Sequence, residues 1–150
     1  MRTTKINTYM EEVQINRIKP SSIDDPRGPT YEWCKGLPGQ QITIFDRKAG
    51  IIAGNHYHKG SDPSKNPELF FLVEGEIIFN ALNGLTGETL EERITKGTEI
   101  IIQSGILHSM KIIKPTIYIE YRSTIFNPQQ PDTYDVSTYQ EYLETFKNRL

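Results

Sequence analysis

Residues 54–60 read GNHYHKG and hold two of the three histidines in the chain. On a strand, a His-x-His pair turns both rings to one face, because successive side chains alternate. On a helix the same spacing would set the rings about 200° apart. The remaining histidine is His108, and the carboxylates that could join the group are Glu68 and, as its rival in the intervening loop, Asp62. Three imidazoles and one carboxylate suit Zn, Fe, Mn, Ni or Cu without choosing among them, and leave coordination positions for water or substrate.

The elements that must position these residues are strands. Short apolar runs rich in β-branched and aromatic residues recur at 41–45, 50–54, 68–73, 75–81, 98–103, 108–113 and 116–121. Turn residues separate them, including Glu-Gly at 74–75, Asn-Gly at 83–84 and Lys-Pro at 114–115. Many short strands at fairly even spacing predict an all-β sandwich or barrel, not alternating strands and helices. The histidine pair therefore falls in extended chain.

Residues 59–67, KGSDPSKNP, read as a polar, solvated loop. Residues 1–40 read as an N-terminal arm with strand character at Val13 and Ile15, and 41–123 as the barrel core. At the C-terminus, 137–150 is predicted to be a helix opened by a capping box of Ser137 and Gln140. Tyr139, Tyr142, Leu143, Phe146 and Leu150 form its apolar face, packed on the outside of the barrel.

Composition bounds the rest. With 150 residues, 36% hydrophobic and 24% charged, the chain is expected to form one soluble domain. A formal charge of -2 and a pI near 5.9 supply no basic field for nucleic acid or an anionic membrane. The single cysteine, Cys34, excludes an internal disulfide and fits a reducing compartment. No run approaches the ~18 apolar residues of a membrane span, nor the apolar core of a signal peptide, so a cytoplasmic location is expected.

Gly50, His56, His58, Glu68 and Gly75, followed by Gly97, Gly105 and His108, resemble the two motifs of the cupin superfamily, G-x5-H-x-H-x3,4-E-x6-G and G-x5-P-x-G-x2-H-x3-N. The chain departs from them in having nine residues between His58 and Glu68, and Gln103 in place of proline. The resemblance implies a double-stranded β-helix, or jelly-roll barrel, with a short C-terminal α-helix. It implies a divalent metal ion (Zn, Fe, Mn or Ni) on His56, His58, Glu68 and His108, with the three histidines as the catalytic residues.

Two further stretches narrow the resemblance. D-P-R-G-P-T-Y-E at 25–32 is similar to the D-x-R-G-x-F-x-E stretch of cupin enzymes acting on nucleotide-linked sugars, which implies substrate contacts from Arg27 and Glu32. IFNPQQPDTYD at 125–135 resembles a segment of the cupin domain in capsular polysaccharide assembly enzymes, where that domain accompanies a reductase for which 150 residues leave no room. The dTDP-4-keto-sugar ketoisomerases also carry an H-x-H-K segment. Arg47, Tyr118, Glu120 and Arg122 alternate on strands that could line the pocket. The implied activity is isomerisation or epimerisation of a nucleotide-linked keto sugar for surface polysaccharide, by a homodimer. The alternatives are an Fe-dependent small-molecule dioxygenase and a non-catalytic sugar or metabolite binder.

Overall fold

The computed structural model describes residues 3–5, 10–22 and 24–148; Leu150, expected on the helix, and Ile23, in the arm, lie outside the described residues. The described residues form nine strands and one helix: β1 (Thr3–Lys5), β2 (Val13–Ile18), β3 (Gln41–Arg47), β4 (Ile52–Tyr57), β5 (Glu68–Asn83), β6 (Thr89–Thr95), β7 (Thr98–Ile102), β8 (Ile106–Arg122), β9 (Tyr134–Asp135) and α1 (Tyr139–Lys147). Every named pairing is antiparallel.

Two long strands organise the barrel. β5 and β8 pair with each other, and each changes its second neighbour half-way along. β5 pairs with β7 through residues 68–71 and with β6 through 76–82. β8 pairs with β4 through 108–111 and with β3 through 116–122. The result is two sheets that share their central strands and enclose one core, which is the expected all-β jelly roll with a C-terminal helix.

The sequence reading divides β5 and β8 at Glu74-Gly75 and Lys114-Pro115, but these are bends inside continuous strands. The β5–β8 register slips between Leu72 and Ile77. Gly75 has φ +110°, and a side chain there would run into Thr116 Oγ1. Only glycine fits so close an approach in that conformation. The bulge also changes parity: Glu68, Phe70 and Leu72 face inward before it, and Ile77, Phe79 and Ala81 after it. Sequence reading also missed β6, whose TLEERIT carries charge on its exposed face.

The core holds Ile15, Leu72, Ile77, Phe79, Ile94, Ile100 and Ile102, all fully buried. Each such side chain contributes about 1.5–3 kcal/mol on removal from water. The helix packs Tyr139 and Leu143 against Tyr57, Leu82, Leu107 and Tyr134 on the barrel's outer side. It begins differently from expectation. Asp135, not Ser137, caps the preceding turn at 136–138 by accepting the Ser137 backbone N–H at 2.9 Å. Thr138, at the helix start, makes no side-chain cap bond. No helix of the described residues is long and apolar enough to cross a membrane.

Candidate functional site

Of the two histidines of GNHYHKG, His56 lies on β4 just after a bulge and His58 just past the strand's end. Gly54 and Asn55 have φ of +82° and +63°, and pairing with β8 slips between Gly54 and His56. A Cβ on Gly54 would lie 3.1 Å from the His108 carbonyl oxygen, so glycine lets β4 approach β8 closely. The slip sets His56 opposite His108. His58 lies beside them, with ring centroids 4.9 Å from His56 and 5.3 Å from His108, and His56 and His108 are 4.9 Å apart.

Hydrogen bonds fix how two of the rings point. His58 Nδ1 donates to the Asp132 carbonyl at 2.8 Å, and His108 Nδ1 to the Ile106 carbonyl at 3.0 Å. A carbonyl only accepts, so each ring carries hydrogen on Nδ1 and turns Nε2 inward. Both Nε2 atoms lie 3.3 Å from Glu68 Oε1. That is longer than the usual N–H···O range of about 2.7–3.2 Å. His58 Nε2 and Glu68 Oε1 are buried with no hydrogen-bond partner.

These orphaned atoms fit a metal ion. Two ligands about 2.0–2.1 Å from a tetrahedral ion stand about 3.3 Å apart. One ligand atom from each of His56, His58 and His108 lies within 4.8 Å of the others. Backbone carbonyls hold the Nδ1 side of two rings, as outer partners of metal-bound histidine do. Glu68 is the carboxylate at this cluster. Asp62 is engaged elsewhere, with Arg122 Nη2 donating to it at 2.7 Å.

The loop at 59–67, expected to be solvated, keeps Lys59, Ser61, Pro63 and Asn66 exposed but turns Ser64 and Lys65 inward. The Asp132 carboxylate accepts backbone N–H groups from Lys59, Gly60 and Asp62 at 2.9, 3.0 and 3.0 Å. Asp62 then caps a single turn at Pro63–Lys65 by accepting the Ser64 N–H. With its backbone polar groups satisfied from within the protein, the loop can go inward. Lys65 becomes buried, and its Nζ lies 2.7 Å from both Glu68 Oε2 and Glu120 Oε2. Arg122 closes the chain of charges, 3.5 Å from Glu120 Oε1.

Charge in this group follows from burial and neighbours. Burial disfavours the Glu68 carboxylate, but His108, His58 and Lys65 outweigh it and hold the group well below the usual carboxylate range. Burial, then the charge of Glu68, pushes Glu120 up to about 7 against the pull of Lys65. His56 is pushed down to about 3, first by burial and then by His108 and His58. For His58 burial is outweighed by Glu68, and its value is raised. Lys65 is likewise raised, Glu68 and Glu120 overcoming its burial.

A cavity of about 410 Å³ opens onto this cluster, and His56, Lys65, Glu68, His108 and Glu120 form part of its wall. Arg47 and Tyr118, expected to touch substrate, line it as well. Tyr118 stacks on Phe45 with centroids 4.7 Å apart, and Arg47 Cζ stands 4.9 Å from the Phe45 ring. Arg27 and Glu32 are not part of this wall. Arg27 is 88% exposed and ion-paired with Asp25, and Glu32 stands 3.7 Å from Lys35. Cys34 is half-buried, its thiol pushed up to about 12 by burial and Glu99.

Sequence reasoning missed Lys65 and Asp132. A lysine three residues ahead of Glu68 was the available signal for the first. Asp132 lay in a segment quoted for its resemblance and had no local pattern that marked it.

Comparison with known proteins follows the same lines. The family model described as the polysaccharide biosynthesis C-terminal domain matches residues 23–134. No curated protein matches by sequence. Among solved structures, the dTDP-6-deoxy-D-glucose-3,5-epimerase RmlC of Legionella pneumophila, in complex with dTDP-4-keto-L-rhamnose, superposes with a TM-score of 0.69 at 17% identity, over 89% of this chain and 77% of that one. ChmJ, a 3'-monoepimerase from Streptomyces bikiniensis in complex with dTDP-quinovose, gives 0.70 at 16%, over 91% and 75%. A 3,4-ketoisomerase from Helicobacter canadensis gives 0.68 at 13%, over 89% and 98%. At these identities the shared feature is the barrel.

Proposed function

Because the chain belongs to the polysaccharide biosynthesis C-terminal domain family, we propose that it isomerises or epimerises a nucleotide-linked keto sugar for a surface polysaccharide. The observation that carries this reading is the cavity wall on which Glu120 stands beside the His56, Glu68 and His108 cluster. The structural neighbours with the same barrel include enzymes of dTDP-linked sugars.

Moving a proton next to a ketone requires a group to take it and a means of stabilising the charge left on oxygen. Glu120 takes the proton. Glu68 is held among the imidazoles, while Glu120 reaches the same cavity from β8 without joining them. The stacked Phe45 and Tyr118 offer a flat wall for a sugar ring. Arg47 beside them offers a guanidinium to the anionic end of the substrate. His56, His58, His108 and Glu68 would hold a divalent ion, which when bound polarises a carbonyl oxygen as a Lewis acid.

A homodimer belongs to the same reading. Among the described residues β3 pairs only with β8, and it turns Ile42 and Ile44 outward at 60% and 69% exposure. A second copy would cover that strand edge and apolar face. A monomeric mass by light scattering at micromolar concentration would contradict it.

The decisive experiment is deuterium wash-in from D2O into a panel of UDP- and dTDP-linked 4-keto sugars, read by mass spectrometry. Exchange at carbon beside the ketone is expected with at least one member. Absence of exchange across the panel would sink the proposal, and oxygen uptake in its place would mark a dioxygenase.

A further inference from the structure

We propose that Lys65 is a catalytic residue, donating an N–H to the substrate oxygen on which negative charge gathers; this rests on the functional reading above. An ammonium carries three N–H donors and no acceptor. Two are engaged, by Glu68 Oε2 and Glu120 Oε2, each at 2.7 Å. Among the described residues Nζ makes no third hydrogen bond, and Lys65 forms part of the cavity wall. The third donor therefore belongs to whatever occupies the cavity.

The surroundings show why this ammonium is more than a counter-ion. Glu68 and Glu120 are 1% and 2% exposed, and two buried carboxylates need a cation nearby. A cation serving only them could be enclosed between them. Instead, the nine-residue segment between His58 and Glu68 brings Lys65 to the cavity wall, held there through Asp132 and Asp62. Its side chain is 11% exposed, against 1% and 3% for the carboxylates it joins on the same wall. The ammonium is thus set in advance and largely buried, where a fixed donor counts for more than in solvent.

The step balances with solvent protons as the only further reactant. Glu120 removes a proton from carbon beside the carbonyl, the C–H pair becomes a C=C bond, and the carbonyl π pair moves onto oxygen. Lys65 holds that oxygen by its N–H and keeps its own proton. Protonation of the same carbon from its opposite face by a solvent proton re-forms the C=O bond with inverted configuration, and Glu120 passes the proton it took to solvent.

The test compares Lys65→Gln and Lys65→Ala with the unaltered protein in the deuterium wash-in, at matched metal content and with folding checked by circular dichroism. The Gln amide retains two N–H donors for the two carboxylates but lacks the charge and the third N–H. Its exchange rate is expected to fall about 100-fold or more, with KM changed no more than about threefold. Methylammonium is expected to restore exchange to Lys65→Ala, and tetramethylammonium, which has charge but no N–H, is not. If Lys65→Ala fails to fold, Lys65→Gln alone decides. Exchange by folded Lys65→Gln within about threefold of the unaltered protein would overturn the role of Lys65 and leave the functional reading standing. Absence of exchange by the unaltered protein would overturn both.

Discussion

The backbone carbonyl of Asp132 accepts the Nδ1–H of His58 at 2.8 Å, and the carboxylate of the same residue accepts three backbone N–H groups of the loop that follows His58. One residue therefore orients an imidazole and folds the segment that delivers Lys65. Asp132 adopts φ +50° and is 4% exposed, so its place is fixed from both sides.

Replacing Asp132 by Ala strips three N–H groups of a charged acceptor. The expected loss is about 2–4 kcal/mol of stability, with new protease cleavage between residues 59 and 67. Asp132→Asn, which keeps one acceptor oxygen, should lose less. Denaturant melts and cleavage mapping check both, and an Ala variant with unchanged midpoint and an intact loop would refute the clasp.

Glu120→Gln removes the proposed proton acceptor while keeping its shape. The wash-in rate is expected to drop about 100-fold or more at pH 7, with the fold retained by circular dichroism. Full exchange in this variant would assign proton removal to another group.

Protein purified without added metal is expected to contain a divalent ion, measured by plasma mass spectrometry. His56→Ala and Glu68→Gln should each lower that content at least about tenfold, and a chelator should lower the melting temperature of the unaltered protein. Metal-free protein whose melting is indifferent to added Zn, Fe, Mn or Ni would count against the ion.

The Asp62–Arg122 pair gives the loop a pH limit. Burial disfavours the Asp62 carboxylate, but Arg122, the Ser64 N–H and Thr124 outweigh it and lower the value from 3.8. A lowered carboxylate contributes stability above its unfolded value, and that contribution is lost as pH falls through the folded value. Asp62→Asn is therefore expected to destabilise the protein at pH 7 and to differ little from it in strong acid. Urea midpoints at a series of pH values from 7 downward test this, and a gap that does not close on acidification would disprove it.

The apolar runs announced the barrel, because half-buried strands must alternate and the turns between them need glycine, asparagine or proline. They did not announce that β5 and β8 run through their bends, since a Gly75 bulge and a Gly84 turn are the same residue type in sequence. His56 and His58 were legible because imidazoles are scarce in this chain and these two are two residues apart, and His108 because it follows Gly97 and Gly105 at motif spacing. Lys65 and Asp132 were not. Their roles depend on contacts across 55 and 74 residues, Lys65 with Glu120 and Asp132 with His58, and a loop rich in polar residues has the composition of a solvated one whether or not an aspartate elsewhere holds it.

β8 carries His108 at one end of the site and Tyr118, Glu120 and Arg122 at the other, all buried and all of even number. That shared parity sets different tolerances to length change. Residues can be added to or trimmed from the solvent side of the barrel at the cost of a loop. Deleting one residue of β8 between His108 and Tyr118 would turn one half of the set outward while the other stayed in place. The reading frame of this strand, more than any one side chain on it, is what an engineer redesigning the pocket would have to leave alone.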